Sequence, residues 1–345
     1  MARRVVFVTQ QVDPRHPALA ATVPKIAALA ALVDEVVVLA DGAVPGVLPL
    51  NCRVRTFRSR WKVGRGARFE FSLARELHGL RGGAVVAHMC PIYAVVAAPL
   101  VRPPRIPLVL WFTHWRASRL LEAAERVSTA VVSVDRRSFP LASEKVRAIG
   151  HGIDLGEFPC SPPRSGDGLR LLALGRYSPE KGLDVVLRAL AAAGEGVRLD
   201  VCGPTLSDEE RRHRTELEQL TSGLGLGGRV TLGDAVTRAQ IPGLLAAHDA
   251  LVNNMRAGAP DKVVYEAAAS CIPVLASNPV FDSLLEPELR FERDDPDELA
   301  DRIRALAAMG TTERAELGRR LRERVEAGHS VQSWARGILD AAGIA

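Results

Sequence analysis

Cysteine is scarce and scattered in this chain of 345 residues. Its five cysteines, Cys52, Cys90, Cys160, Cys202 and Cys271, are odd in number, and no two have metal-ligand spacing. That argues against a disulfide scaffold and predicts a reduced, cytoplasmic protein with no zinc site. Long apolar runs are also lacking. Near the start, two arginines precede an apolar run of residues 5–8, too short for the core of a secretion signal. The longest stretch without a formal charge, residues 82–101, contains His88, Pro91 and Pro99. It has the length of a membrane span. A buried strand over 84–89, a turn at Pro91 and a short helix explain it better. No Gly-x-Gly-x-x-Gly follows the first strand, which ranks a dinucleotide oxidoreductase low.

What is present is the composition of a soluble globular protein, 47% hydrophobic and 25% charged. At roughly 100–200 residues per domain, the length fits one large domain or two ordinary ones. Charge favours two. Residues 1–150 carry 22 Lys and Arg against 10 Asp and Glu, a balance of +12, and the remainder carries 23 against 30, a balance of −7. Halves of opposite sign suggest different partners.

The apolar pattern alternates strand and helix. Short β-branched runs at 4–9, 36–39, 53–57, 84–89, 108–112 and 130–134 read as buried parallel strands, and residues 18–32 as a helix. The segment 158–168, FPCSPPRSGDG, reads as a linker. A second series follows, with strands at 169–174, 198–202, 230–232, 250–252 and 274–276. Its helices are expected at 183–190, 209–220, 241–247, 263–269 and 296–308. The fold class is therefore α/β: two Rossmann-like domains with parallel sheets facing across a cleft, and ligands at the carboxyl ends of the strands. A last helix near 330–342, with Trp334, Ile338 and Leu339, is expected to cross back onto the first half. The divisions are 1–155, 156–327 and 328–345.

Residues 171–190, LLALGRYSPEKGLDVVLRAL, are the most informative segment. A strand ends at Gly175, a loop holds Arg176 and Lys181, and Gly182 precedes an amphipathic helix. Free N–H groups at that helix start, with two cations beside them, form a site for a diphosphate. The same pattern also fits a solvated loop with two surface cations.

The run GRYSPEKGLD resembles the signature of retaining glycosyltransferases of family 4, the glycosyl transferases group 1, which have the GT-B fold. Further segments are similar to that family in its order: VRAIGHGID (146–154) followed by Phe158, VCGP (201–204), VTLG (230–233) and VYEAAASCIPVLAS (264–277). The resemblance covers about residues 145–280. It implies transfer of a sugar from a UDP- or GDP-linked donor to an acceptor hydroxyl, with retention and without a metal or cofactor. It assigns Arg176 and Lys181 to the donor pyrophosphate and Glu266 to the ribose, and sets Gly175, Gly203 and Pro204 at the nucleotide. A glutamate in the first turns of a helix also complements the helix dipole, and that reading stays open.

The family usually has a second glutamate eight positions before the one matched by Glu266, and this chain has Gly258 there. The Pro-x-Lys-Val-x-Glu spacing puts Lys262 one turn before Glu266, where it faces a phosphate or pairs with the carboxylate. The departure motivates an alternative function, a catalytically weak or inactive nucleotide-sugar-binding partner of another transferase. In the first half, His114 lies at a strand end where the family often has a histidine that reaches the donor sugar.

Residues 53–71, RVRTFRSRWKVGRGARFEF, interleave seven cations with Phe57, Trp61, Phe69 and Phe71. Three readings compete: nucleic acid, a membrane surface or anionic acceptor, and an Arg-rich solvated loop. Family members often act on lipid-linked acceptors. We therefore expect Arg53 to Arg68 to meet an anionic membrane at its inner face, and no nucleic acid. A small-molecule acceptor is the other expectation, in bacterial glycan, glycolipid or glycosylated-metabolite synthesis.

Overall fold

The computed structural model describes residues 3–16, 19–80, 82–164, 166 and 168–344. Ala18, the expected start of the first helix, and Ser165 and Asp167 of the expected linker lie outside the described residues. The chain divides into two compact units, residues 1–154 with 328–345, and residues 155–327.

In the first unit, the β-branched runs form β1 (Arg4–Val12), β2 (Glu35–Ala43), β3 (Cys52–Thr56), β4 (Ala84–His88), β5 (Leu108–Trp111), β6 (Ala130–Ser133) and β7 (Val146–Ala148). They pair in parallel in the order β3-β2-β1-β4-β5-β6-β7. Crossovers carry α1 (Thr22–Ala30), α2 (Lys62–Leu77), α3 (Pro91–Val101) and α4 (Arg119–Val127). Strands β4, β5 and β6 are buried at every residue, so covering on both faces produces their continuous apolar runs. Pro91 opens α3 where its missing N–H costs nothing. The Ser118 hydroxyl accepts the Leu121 N–H at 3.1 Å and starts α4.

The second unit repeats the plan with β8 (Leu169–Leu174), β9 (Val197–Cys202), β10 (Val230–Gly233), β11 (Ala250–Asn253) and β12 (Val274–Ala276), in the parallel order β10-β9-β8-β11-β12. Its helices are α5 (Leu183–Ala193), α6 (Asp208–Gly223), α7 (Ile241–Ala246), α8 (Lys262–Ala269), α9 (Pro296–Ala308) and most of α10 (Thr311–His329). The final helix, α11 (Val331–Ala342), packs on α1, β5 and β6 of the first unit. Its Trp334 is fully buried, edge-on to Trp111 at 5.6 Å and to Phe7 at 6.4 Å. In each sheet the strand order reverses beside the first strand, between β1 and β4 and between β8 and β11. These are the topological switch points where α/β sheets open a crevice for ligands.

Two expectations are corrected. Cys160 and Cys271 form a disulfide, against the all-reduced reading. They are 111 residues apart in sequence, and the fold brings their segments together, with Ser161 N–H on the Ser270 carbonyl at 3.0 Å. The basic segment 53–71 is not one exposed surface either. Its first part is β3 and its second part opens α2. Arg53 and Arg55 pair with the buried Glu76, and Arg65 pairs with Asp41 at 3.0 Å. Phe57 and Phe69 are core residues that meet edge-on at 5.4 Å. Among the described residues, no helix is long and apolar enough to cross a membrane. Residues 82–101 form β4 and α3 instead.

Candidate active site

The site is built at the carboxyl ends of β8, β9 and β11. Strand β8 ends at Gly175, and a loop with a 3-10 turn over Pro179–Lys181 leads into α5. The Gly175 N–H donates to the Cys202 carbonyl at 3.0 Å, and the Tyr177 N–H to the Pro204 carbonyl at 3.3 Å. The structure thus joins Gly175, Gly203 and Pro204, which the sequence named separately. A Cβ on Gly203 would lie 1.8 Å from the Gly175 carbonyl oxygen. Glycine is needed there first for backbone packing, whatever it also offers a nucleobase. Tyr177 is buried, and its hydroxyl donates to the Gly233 carbonyl at 2.7 Å, bracing the loops.

Both loop cations are held by carboxylates. Lys181 pairs with Asp261, which also accepts the Asn253 amide at 2.8 Å. Arg176 reaches the buried Glu210 on α6 at 3.0 Å and keeps a side chain 58% exposed. The Asn254 amide donates to the Gly182 carbonyl at 3.2 Å and ties the loop to the end of β11. A cavity of about 10 Å³ under this loop is lined by Gly175, Arg176, Lys181, Asn253 and Asn254.

Asp261 is also the N-cap of α8, so Glu266 sits one turn inside that helix. Glu266 is 1% exposed. Its Oε1 accepts from Lys262 at 2.9 Å and from Arg238 at 3.1 Å, while its Oε2 is buried with no hydrogen-bond partner. Lys262 therefore takes the pairing role. Arg238 also donates to Glu157 at 2.6 Å and lies over the Phe158 ring at 5.6 Å. Burial works against the Arg238 charge, yet the two carboxylates raise its pKa above the ordinary value. A buried carboxylate oxygen without a donor is costly unless a ligand supplies one. Oε2 is thus a buried acceptor whose bond the protein leaves unmade. The sequence missed Arg238, Glu157 and the Lys181–Asp261 pair. The aromatic at Phe158 was the nearest signal, and nothing local marks Arg238.

At the position of the family's absent glutamate, Gly258 adopts φ +79° and donates its N–H to Asn278 Oδ1 at 3.3 Å. The Asn278 amide bonds the carbonyls of Arg256 and Ala259, both at 2.8 Å. A glutamate there would be strained, so this loop has its own geometry.

His114 belongs to the first unit, three residues past β5. Its Nδ1 accepts the Arg116 N–H at 3.0 Å, and its ring stacks on Trp115 at 5.5 Å. Burial, then the Arg116 charge, lowers its pKa below the ordinary histidine value. The neutral ring thus carries its proton on Nε2 and presents a donor. Among the described residues, no group of three or more His, Cys, Asp or Glu is placed to hold a metal ion.

Residues 168–309 match the family model described as Glycosyl transferases group 1. No curated protein matches the sequence. The fold is that of GT-B glycosyltransferases. Similar structures include the HepE protein of Anabaena in complex with UDP, at 21% identity and TM-score 0.77, covering 99% of both chains. Another is a sucrose-phosphate synthase of Thermosynechococcus elongatus, at 19% identity and TM-score 0.74, covering 98% of both. A third is a glycosyltransferase of Rickettsia africae, at 12% identity and TM-score 0.75, covering 99% of this chain and 98% of that one.

Proposed function

We propose that this protein is a retaining glycosyltransferase that moves a sugar from a nucleoside diphosphate donor to an acceptor hydroxyl. The observation that carries the reading is the buried, unpartnered Oε2 of Glu266, on the helix whose cap pairs with Lys181. The ribose hydroxyls supply the missing donors, and the diphosphate takes Lys181 and Arg176 from Asp261 and Glu210. Negative charge that builds on the leaving diphosphate is then met by two cations already in place. The acceptor attacks from the side the diphosphate leaves. A leaving phosphate oxygen takes the acceptor proton, so no protein nucleophile is needed. His114 donates its Nε2 proton to a sugar hydroxyl. The two cations serve where a divalent ion would otherwise stand, and no cofactor takes part.

UDP is the first candidate base, because similar folds have been seen with UDP and with UDP-glucose, and GDP is the second. The acceptor is lipid-linked or a small molecule, and the reaction takes place on the cytoplasmic side, with α2 and the residues before it at the anionic membrane surface. Thermal shifts with UDP, GDP, ADP and TDP, followed by hydrolysis of the matching sugar nucleotides, test the reading. One diphosphate should stabilise the protein and its sugar form should turn over slowly. Failure of all four to bind would overturn the proposal, and binding without turnover on any acceptor would favour the non-catalytic alternative.

A further inference from the structure

A cavity of about 380 Å³ opens in the second unit, away from the donor loops. Its lining residues Arg164, Asp249 and Pro273 lie just before β8, β11 and β12, so it occupies the amino edge of the sheet. The Gly175–Gly182 loop lies at the carboxyl edge. One wall is the Cys160–Cys271 disulfide, and α10 contributes Arg314 and Arg319. Cys160 is exposed, while Cys271 is 6% exposed. A reagent from solvent therefore meets the Cys160 sulfur first.

The charge of the cavity is positive. Arg164 is balanced by Asp249 at 2.9 Å. Arg314 spends its bonds on the backbone carbonyls of Met309, at 2.6 Å, and Leu306. Arg319 is 60% exposed and reaches Glu316 only at 3.7 Å. Cations beside a disulfide attract an anionic thiol and favour its thiolate, the attacking species.

We propose that this cavity is a thiol-exchange site for a small thiol that carries carboxylates. The incoming thiolate attacks Cys160 Sγ. A new sulfur–sulfur bond forms to Cys160 as the Cys160–Cys271 bond breaks, and Cys271 leaves as a thiolate that takes up the proton the incoming thiol released. No oxidant or reductant beyond that thiol is consumed. Exchange does not require unfolding, because non-covalent bonds bridge the same two segments. Ser161 N–H stays on the Ser270 carbonyl, and Arg322 donates to the carbonyls of Phe158 and Ala269. The modified state is one in which α8 loses its covalent tether.

The test uses the full chain purified without reductant, with reduced glutathione as the anionic thiol and cysteamine as a cationic one. Titration should first count three free thiols, Cys52, Cys90 and Cys202. Intact mass and peptide mapping after acid quench should then place one glutathione on Cys160 and a new free thiol at Cys271. Compared at equal thiolate concentration, glutathione should react roughly tenfold faster than cysteamine. Arg319→Glu should shrink that preference several-fold at unchanged circular dichroism. In Cys271→Ser, Cys160 should still take glutathione from its oxidised form, which keeps the test open if the disulfide is slow to exchange. Five free thiols at the outset, an adduct on Cys271, or equal rates for the two thiols would each overturn the proposal.

Discussion

At the scale of single residues, the proposed donor site is a set of opposite charges already paired within the protein. Lys181 faces Asp261 and Arg176 faces Glu210. Removing either cation should cost roughly 1.5–3 kcal/mol of diphosphate affinity, on the order of 10- to 100-fold. Lys181→Ala should be the worse of the two. It leaves the Asp261 carboxylate with the Asn253 amide and no cation, so the carboxylate repels the diphosphate. Arg176 starts largely in water, where a lost charge matters less. Titration calorimetry with UDP, or with whichever diphosphate the panel selects, ranks the two, and unchanged affinity in both would sink the pyrophosphate role. Glu266→Gln tests the ribose. Arg238 and Lys262 would draw the amide oxygen, turning the NH₂ toward the ligand where an acceptor is needed. Affinity for the ribonucleotide should fall about tenfold, and less for the 2′-deoxy analogue. Equal losses would leave Glu266 as a helix charge alone. Arg176, Lys181 and Glu266 were open to proposal from the sequence because their signal is local. Arg238 was not, because it meets Glu266 from 28 residues away and Glu157 from 81. No spacing rule marks such a partner.

At the scale of elements, central strands such as β5 and β12 were read well because burial on both faces leaves them as uninterrupted apolar runs. Strand β8, β12 and helix α9 fall on the expected bounds. Helix α2 escaped because Gly64 and Gly66 are poor helix formers in its first turns. It forms anyway because Phe69 and Leu73 are buried. Burying a Phe is worth about 1.5–3 kcal/mol, more than the ~1 kcal/mol each cation gains at an anionic leaflet. Phe57 and Phe69 therefore stay in the core. What is left outside includes Arg58, Arg60, Trp61, Lys62, Val63, Arg68 and Phe71, with the single carboxylate Glu70 among them, and Trp61 is 74% and Phe71 72% exposed. We expect this smaller surface to bind anionic vesicles at low salt and to release them as salt is raised, since screening acts beyond roughly 10 Å at 0.1 M. Trp61 fluorescence should shift on binding, against a Trp61→Phe control. Reversing Arg58, Arg60 and Lys62 to glutamate should abolish binding and spare donor hydrolysis. A wild-type protein that ignores such vesicles at low salt would turn the acceptor search to soluble molecules.

At the scale of the whole molecule, the first unit should set the response to acid. His88 is buried against Thr9, and burial, then the Lys25 charge, holds its pKa well below the ordinary value. His329, whose carbonyl anchors Gly152 and Ile153, is lowered by burial to about 4. A histidine lowered on folding is neutral in the native state and charged in the unfolded chain. The unfolded state therefore binds more protons below about pH 6.5. Stability from this source is complete above that pH and is lost as pH falls toward the folded values. Between pH 7 and pH 5 the loss should be about 2 kcal/mol for His329, and His88 adds to it in the same direction. Added protons also raise the charge of a half that already carries +12 over residues 1–150, and self-repulsion works in the same direction. The urea midpoint should fall steeply over this range, before most carboxylates titrate. The double variant His88→Gln, His329→Gln should start lower at pH 7 and change little down to pH 5. A double variant as acid-sensitive as the parent would place the titrating groups elsewhere.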